Sequence, residues 1–419
     1  MGRLIELCKT ILIVLLTCSL LLLFMAAIPM DTIRDVPWLS RLVRPMAPLL
    51  GLSQAELTYV QAAPAVLDAA QPVAISVHNS AGRSTAVWDF DALDEAFDRL
   101  GAHLGQALDT AELFHKVSAS DLQSALQGTS VWFRYGCSLP APLLASWLGA
   151  SLEAAVPEVY ACALSVTGGQ VMLYLAGENC YEAATPLDAG ELEVLLEAYR
   201  PDGSLFAFEA GSHLSPLSLL PGGTCTVPGG AVSEPITSRF MEQLATDLGF
   251  NPYSESRYTD SSGAVHFSEA NCALEITADG RVLLSSAAQD RFAAAGADAS
   301  ALVETARQLV SLAAADAGVG RLYLSGLTQD GEGTVCTFDY LVSGVQVVLD
   351  GGSAASVTFS GQSVTELSVR PLVFTGGEDN LYPLPVAQAA ALLAPGSELV
   401  LQYRVGPDHT LQAGWAQKE

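Results

Sequence analysis

An uncharged apolar run at residues 11–28, ILIVLLTCSLLLLFMAAI, constrains this chain more than any other segment. As a helix rising about 1.5 Å per residue, it is long enough to cross most of a hydrocarbon core of roughly 30 Å. Arg3 and Lys9 precede it and only Glu6 opposes them, so the short tail before the run is expected in the cytoplasm. Arg34, Arg41 and Arg44 follow the run and weaken that bias. A cleaved signal peptide is the other reading, with Met25-Ala-Ala27 as its small-residue cleavage site. The run exceeds the usual apolar core of a signal peptide, roughly 7–15 residues, which favours a retained anchor. Cys18 follows Thr17 inside the continuing run, a poor setting for a lipid-modified N-terminus. On either reading the bulk of the chain is exported.

The exported part of a 419-residue chain can hold two or three ordinary domains. Its net charge is −26, and its only lysines are Lys9, Lys116 and Lys418. Such a surface repels nucleic acid and anionic lipid, so nucleic-acid binding is excluded as a function class. Acidity that keeps an exported protein soluble explains the charge; contact with a cationic partner or with cations in the envelope is the specific alternative. Beyond Cys8 and Cys18, six cysteines remain: Cys137, Cys162, Cys180, Cys225, Cys272 and Cys336. Three disulfides are possible. Several of the six sit in apolar strand-like runs, however, so buried free thiols are an equal alternative.

Hydropathy patterning predicts an α+β fold: an N-terminal transmembrane helix, then repeated units of a helix packed on antiparallel sheet. The boundaries read as a cytoplasmic tail and anchor at 1–30, a juxtamembrane linker at 31–72, a first exported α+β domain at 73–220, a Gly/Pro linker at 221–232 and a second α+β region at 233–419. Residues 90–108 carry Leu93, Phe97, Leu100, Leu104 and Leu108 on one helical face. Residues 160–166 and 170–176, split by Gly168-Gly169, predict a hairpin. The segment Pro221-Gly-Gly-Thr-Cys-Thr-Val-Pro-Gly-Gly230 cannot continue a helix or a central strand and marks the boundary. Ser233-Glu-Pro235 predicts a helix start, and 364–373 reads as one strand.

Local signatures of catalysis are missing: no G-x-S-x-G, H-E-x-x-H, Walker loop or dinucleotide-binding fingerprint occurs. No cofactor and no metal site are expected. The six histidines are scattered, and no C-x-x-C pair suggests metal or redox chemistry. Asp91, Asp94, Glu95 and Asp98 share one helix face, which a solvated helix beginning explains better than a cation site. Asp330-Gly-Glu-Gly333 reads as a hairpin turn, and Trp132, Trp147 and Trp415 as core anchors. An envelope hydrolase with a site assembled across the fold remains a rival reading.

The membrane run, the segment Leu248-Gly-Phe-Asn-Pro252, then Tyr258-Thr-Asp-Ser-Ser-Gly263, Ala273-Leu-Glu-Ile-Thr-Ala-Asp-Gly-Arg281, Phe338-Asp-Tyr-Leu-Val-Ser-Gly-Val-Gln-Val347 and Leu399-Val-Leu-Gln-Tyr403 form a combined pattern. It resembles the YycH/YycI group of exported regulators of Gram-positive bacteria, the YycI side best over 233–419. The resemblance implies a non-enzymatic partner of a cell-wall two-component sensor histidine kinase, held by one span, with a related regulator in the membrane as a further partner. It also implies repeated helix-on-sheet domains and carries over no catalytic residue. The Gly/Pro stretch and the six exported cysteines depart from the family pattern. Thr10, Val14, Thr17 and Leu21 fall on one helical face, where small or hydroxyl side chains allow close helix approach. They are the expected kinase-packing face; an ordinary lipid-facing anchor is the alternative. A secreted or anchored protein- or peptide-binding module without kinase contact is the competing function.

Overall fold

The structure, a computed structural model, describes residues 69–152, 156, 158–254, 256–269, 271–287, 291–314, 316–330 and 333–418. The apolar run, and with it Thr10, Val14, Thr17 and Leu21, lies outside the described residues. Within them no helix is long and apolar enough to cross a membrane. Ala65–Glu419 form one compact unit, and its described part is mixed α+β, with seven helices.

Seven strands build the first sheet: β1 (Ala74–Asn79), β2 (Gly82–Val87), β3 (His115–Val117), β4 (Ser130–Pro140), β5 (Glu158–Thr167), β6 (Gln170–Ala176) and β7 (Cys180–Thr185). Their order is β2-β1-β4-β5-β6-β7-β3, all antiparallel, which leaves β2 at one edge. Both faces are covered. Phe133, Leu164 and Leu173 pack with helices α1 (Phe90–Thr110), α3 (Ala141–Trp147) and α4 (Ala189–Glu197). Trp132, Ala163 and Tyr174 on the other face meet α2 (Ala119–Gln127) and Phe206. The α1 helix follows from its period: Leu93, Leu100, Leu104 and Leu108 are all buried, and Asp89 caps its start.

A short pair, β8 (Leu205–Phe206) and β9 (Leu219–Leu220), leads to β10 (Val227–Ser233) and α5 (Ser238–Asp247). Eleven strands then make the second sheet. In chain order they are β11 (Tyr258–Thr259), β12 (Val265–Glu269), β13 (Cys272–Ile276), β14 (Val282–Ser286), β15 (Gly320–Asp330), β16 (Gly333–Val342), β17 (Val345–Val348), β18 (Ala355–Ser360), β19 (Ser363–Val369), β21 (Glu398–Val405) and β22 (Leu411–Lys418). Helix α6 (Ala299–Ala313) packs on β18 and β19, and β17 and β21 run parallel, the one parallel pair among the described strand pairs. Strand β20 (Val373–Leu381) leaves this sheet to pair with β10, and helix α7 (Val386–Leu392) follows it.

Three local expectations need correction. Residues 221–232 are not all linker: β10 begins at Val227 and pairs antiparallel with β20. Pro228 is tolerated because this is a two-stranded edge pair with a bulge between Pro228 and Gly230. The expected helix start at Ser233 fails because Ser233 ends that strand opposite Val373; Thr237 caps α5 by accepting from the Phe240 N–H. The single strand expected at 364–373 is two, β19 and β20, broken beside Pro371, where Arg370 N donates to Ala354 O.

The two large sheets meet where β4 faces β15. Gly136 sits against the Tyr323 ring, where an added Cβ would fall 2.3 Å from the ring. Arg134 pairs with Glu398 at 2.8 Å, and Lys418 Nζ donates to Gly136 O at 2.9 Å. The Cys137 thiol donates to Leu324 O, and burial pushes its pKa up to about 12. All six cysteines beyond Cys18 are free thiols.

Candidate functional site

A cleft of about 720 Å³ opens between the end of β2, the loop at 221–226 and the start of β15. Six separated parts of the chain line it: residues between Thr85 and Asp91, Asp202, residues between Pro221 and Pro228, Gly318 to Arg321, Ser343, and Asn380. Its size falls within the roughly 300–1,000 Å³ typical of ligand sites.

The rim is built by a sharp change of backbone direction. Trp88 takes φ of 57° between β2 and α1, a left-handed conformation that a bulky side chain rarely adopts. Asp89 then returns to extended geometry, and its Oδ1 accepts from Asp91 N at 3.0 Å and Ala92 N at 3.2 Å. Two neighbours hold Trp88 in place. Its ring meets Trp415 edge to face at 5.2 Å, and the Trp415 indole N–H donates to Leu384 O at 2.7 Å. Below it lies the two-residue hairpin Ser343–Gly344 between β16 and β17, with φ of 49° and 77° as a tight turn of this kind requires. A Cβ on Gly344 would come within 3.1 Å of the Trp88 backbone, so glycine serves both the turn and the close approach.

Asp89, Asp202 and Arg321 each hold part of the cleft wall. Asp202 Oδ2 accepts from Thr85 N at 2.9 Å, and its Oδ1 accepts from Ser204 N at 2.8 Å. Arg321 grips Asp94 through two hydrogen bonds of 2.8 Å and lies 4.1 Å above the Phe90 ring. Gln71 bonds both Asp94 and Arg321. The Arg321 hydrogen bonds hold the Asp94 carboxyl below its ordinary pKa. Cys225 is half-buried on the cleft wall, and burial pushes its thiol up to about 11.

A thiol at that pKa is almost wholly protonated near neutrality and is a poor nucleophile. Alkylation of Cys225 by iodoacetamide at pH 8 is therefore expected about a hundred-fold slower than that of a free cysteine. The rate should climb as pH approaches 11. Peptide mapping after timed labelling reads this directly, and rapid modification at pH 8 would contradict it.

The residues singled out in the sequence are dispersed. Asp89, just before the acidic group on α1, caps the helix; within the group Asp94 pairs with Arg321, and Glu95 pairs with Arg99 one turn away. Trp132 and Trp147 are buried in cores, whereas Trp415 is half-buried and braces the cleft. Among the described residues no cluster of His, Cys, Asp and Glu is placed to hold a metal ion. One histidine does gather carboxylates: His266 Nε2 lies 3.0 Å from Asp260 and its Nδ1 3.9 Å from Glu275, with Tyr258 stacked on the ring. The Ser262 hydroxyl, and then His266, hold Asp260 well below the usual carboxylate range. Trp88, Asp202 and Arg321 were not singled out by sequence, and Cys225 was noted there only as one of the six cysteines beyond the apolar run. The one available signal was Trp88-Asp89 standing between an alternating strand and a helical period.

Comparison of the chain with protein-family models, curated proteins and solved structures found no match.

Proposed function

We propose that this chain is a membrane-anchored extracytoplasmic regulatory protein that binds and modulates a two-component sensor histidine kinase of cell-wall homeostasis and carries out no chemistry itself. The observation that carries the reading is how the cleft's reactive groups are used. Asp89 caps a helix, Asp202 ties a loop to β2, Arg321 is held by Asp94, and the Cys225 thiol is raised to about 11. Such a surface is built to bind, whereas general acid–base or nucleophilic work needs groups poised near the working pH.

The resemblance to the YycH/YycI group supports the kinase as partner and a repeated helix-on-sheet plan for the exported part. The apolar run at 11–28 supports a single-pass anchor, with the face of Thr10, Val14, Thr17 and Leu21 against kinase helices. Regulation follows if the protein binds one kinase conformation better than the other. No cofactor or metal enters this reading. The competing reading keeps the same cleft in a secreted or anchored binding module without kinase contact.

In-cell crosslinking of the tagged full-length protein, followed by mass spectrometry, tests both. Recovery of a sensor kinase is expected, with loss when the helix is exchanged for an unrelated one. Replacing Thr10 and Thr17 by leucine should weaken recovery several-fold; unchanged crosslinking would remove that face from the contact. Recovery that survives the helix exchange would move the contact to the exported body. Recovery of no kinase would leave the binding-module reading in its place.

A further inference from the structure

We propose that the cleft takes an extended, positively charged peptide segment, which adds as a strand to the open edge of β2 and sets a lysine or arginine side chain between Trp88, Asp89 and Asp91. The inference rests on reading this cleft as a binding site, but it requires neither the membrane anchor nor a kinase.

The first observation is the edge. Among the described residues strand β2 ends the seven-stranded sheet, with β1 on one side only. Its outward groups are identified by Asp202. Arg83 O accepts from Asp202 N at 3.0 Å, and Thr85 N donates to Asp202 Oδ2 at 2.9 Å. Asp202 thus occupies the beginning of that edge as a single-residue substitute for a neighbouring strand. Backbone groups of alternate residues point to the same side of a strand, so the Thr85 carbonyl and the Val87 amide and carbonyl continue this edge. Thr85 and Val87 both line the cleft. Open main-chain donors and acceptors inside a cleft are the requirements of strand addition, where backbone bonds give affinity and pockets give specificity.

The second observation is charge. Asp89 and Asp91 are exposed at the rim. Arg321, the one cation among the described lining residues, is engaged by Asp94. The whole chain carries −26 and so favours encounter with a cation. The Trp88 ring, braced by Trp415, lines the cleft beside these carboxylates, and an indole ring attracts an ammonium or guanidinium group. An acidic peptide or a phosphate would meet these carboxylates as like charge, which fixes the sign of the occupant.

The test uses the full chain in detergent micelles and a fluorescein-labelled probe, Val-Lys-Val-Lys-Val-Lys-Val, read by fluorescence anisotropy. Two further probes separate the contributions: the same peptide with glutamate for lysine, and the lysine peptide N-methylated at every residue. The lysine peptide is expected to bind at least about ten-fold more tightly than either, a factor worth about 1.4 kcal/mol. Asp89→Asn combined with Asp91→Asn should weaken it about three- to ten-fold and leave the fold intact, because asparagine is also a good N-cap. Glu275→Gln, remote from the cleft, should leave binding unchanged. Equal binding of the N-methylated peptide would reduce the effect to ionic attraction and overturn strand addition. Equal binding to the double variant, or no binding of the lysine peptide, would overturn the site. No kinase is present in this assay, so its failure is distinct from a failure to crosslink one in cells.

Discussion

Glu209→Ala is expected to cost about 3–5 kcal/mol of folding stability, far more than removal of a surface charge. The reason is what it abandons. The Arg83 side chain is 1% exposed and Glu209 12%. Two hydrogen bonds join them, Nε to Oε2 at 3.0 Å and Nη2 to Oε1 at 2.8 Å. Arg83 also donates to Leu126 O and to the Ser76 hydroxyl, and its guanidinium lies 4.3 Å over the Phe206 ring. Alanine at 209 leaves this cation in the interior without its counter-ion. A carboxylate also accepts from Phe206 N at 2.7 Å, so the loop after β8 loses its tie at the same time. Replacing both partners, Arg83→Met with Glu209→Leu, should restore most of the loss, since the pair repays its desolvation only in part. Urea unfolding followed by tryptophan fluorescence measures both, as a shift in midpoint at unchanged slope. A single variant within about 1 kcal/mol of the parent would show that water reaches the pair. The loss should also be insensitive to added salt, because buried pairs are weakly screened.

Elements whose formation is decided by local periodicity were legible in the sequence. Helix α1 has its leucines on one face and an aspartate at the cap. The hairpin of β5 and β6 turns at Gly168 and Gly169, both with positive φ. Illegible elements are those decided by distant partners. Strand β10 contains Pro228, Gly229 and Gly230, a composition that reads as loop. It is a strand because β20 supplies its ladder and His409 O accepts from Val232 N. Glycine is even required there: a Cβ at Gly230 would fall 2.8 Å from Thr375 O. The helix expected from Ser233 lost to that pairing, since local capping preferences of about 1 kcal/mol do not outweigh several ladder bonds. The cleft was hidden for the same reason. Its walls come from positions as far apart as Thr85 and Asn380, and no local spacing places Arg321 against Asp94.

Adjacent residues on β4 test whether the first sheet is buried on both faces. Trp132 and Phe133 are each 0% exposed and point to opposite sides. Trp132→Ala and Phe133→Ala should each cost about 3–5 kcal/mol, through lost apolar contact and the cavity left behind. In a sheet with one wet face, one of two neighbours would tolerate the change. Trp132 packs among Leu122, Leu126, Ala163 and Tyr174 and meets Phe206 edge to face at 6.1 Å. Its indole N–H has no hydrogen-bond partner among the described residues. Trp132→Phe should therefore lose only part of the alanine penalty, about 1–2 kcal/mol, because the group it removes makes no bond. Urea midpoints of the three variants decide the matter. A loss below about 1 kcal/mol at either alanine would mean that one face of the sheet is wet. Trp132→Phe as damaging as Trp132→Ala would mean that the indole N–H is satisfied after all. Phe206 stands between this core and the Arg83–Glu209 pair. Phe206→Leu should therefore weaken both at once, so the losses at Trp132 and Glu209 will not add in a combined variant.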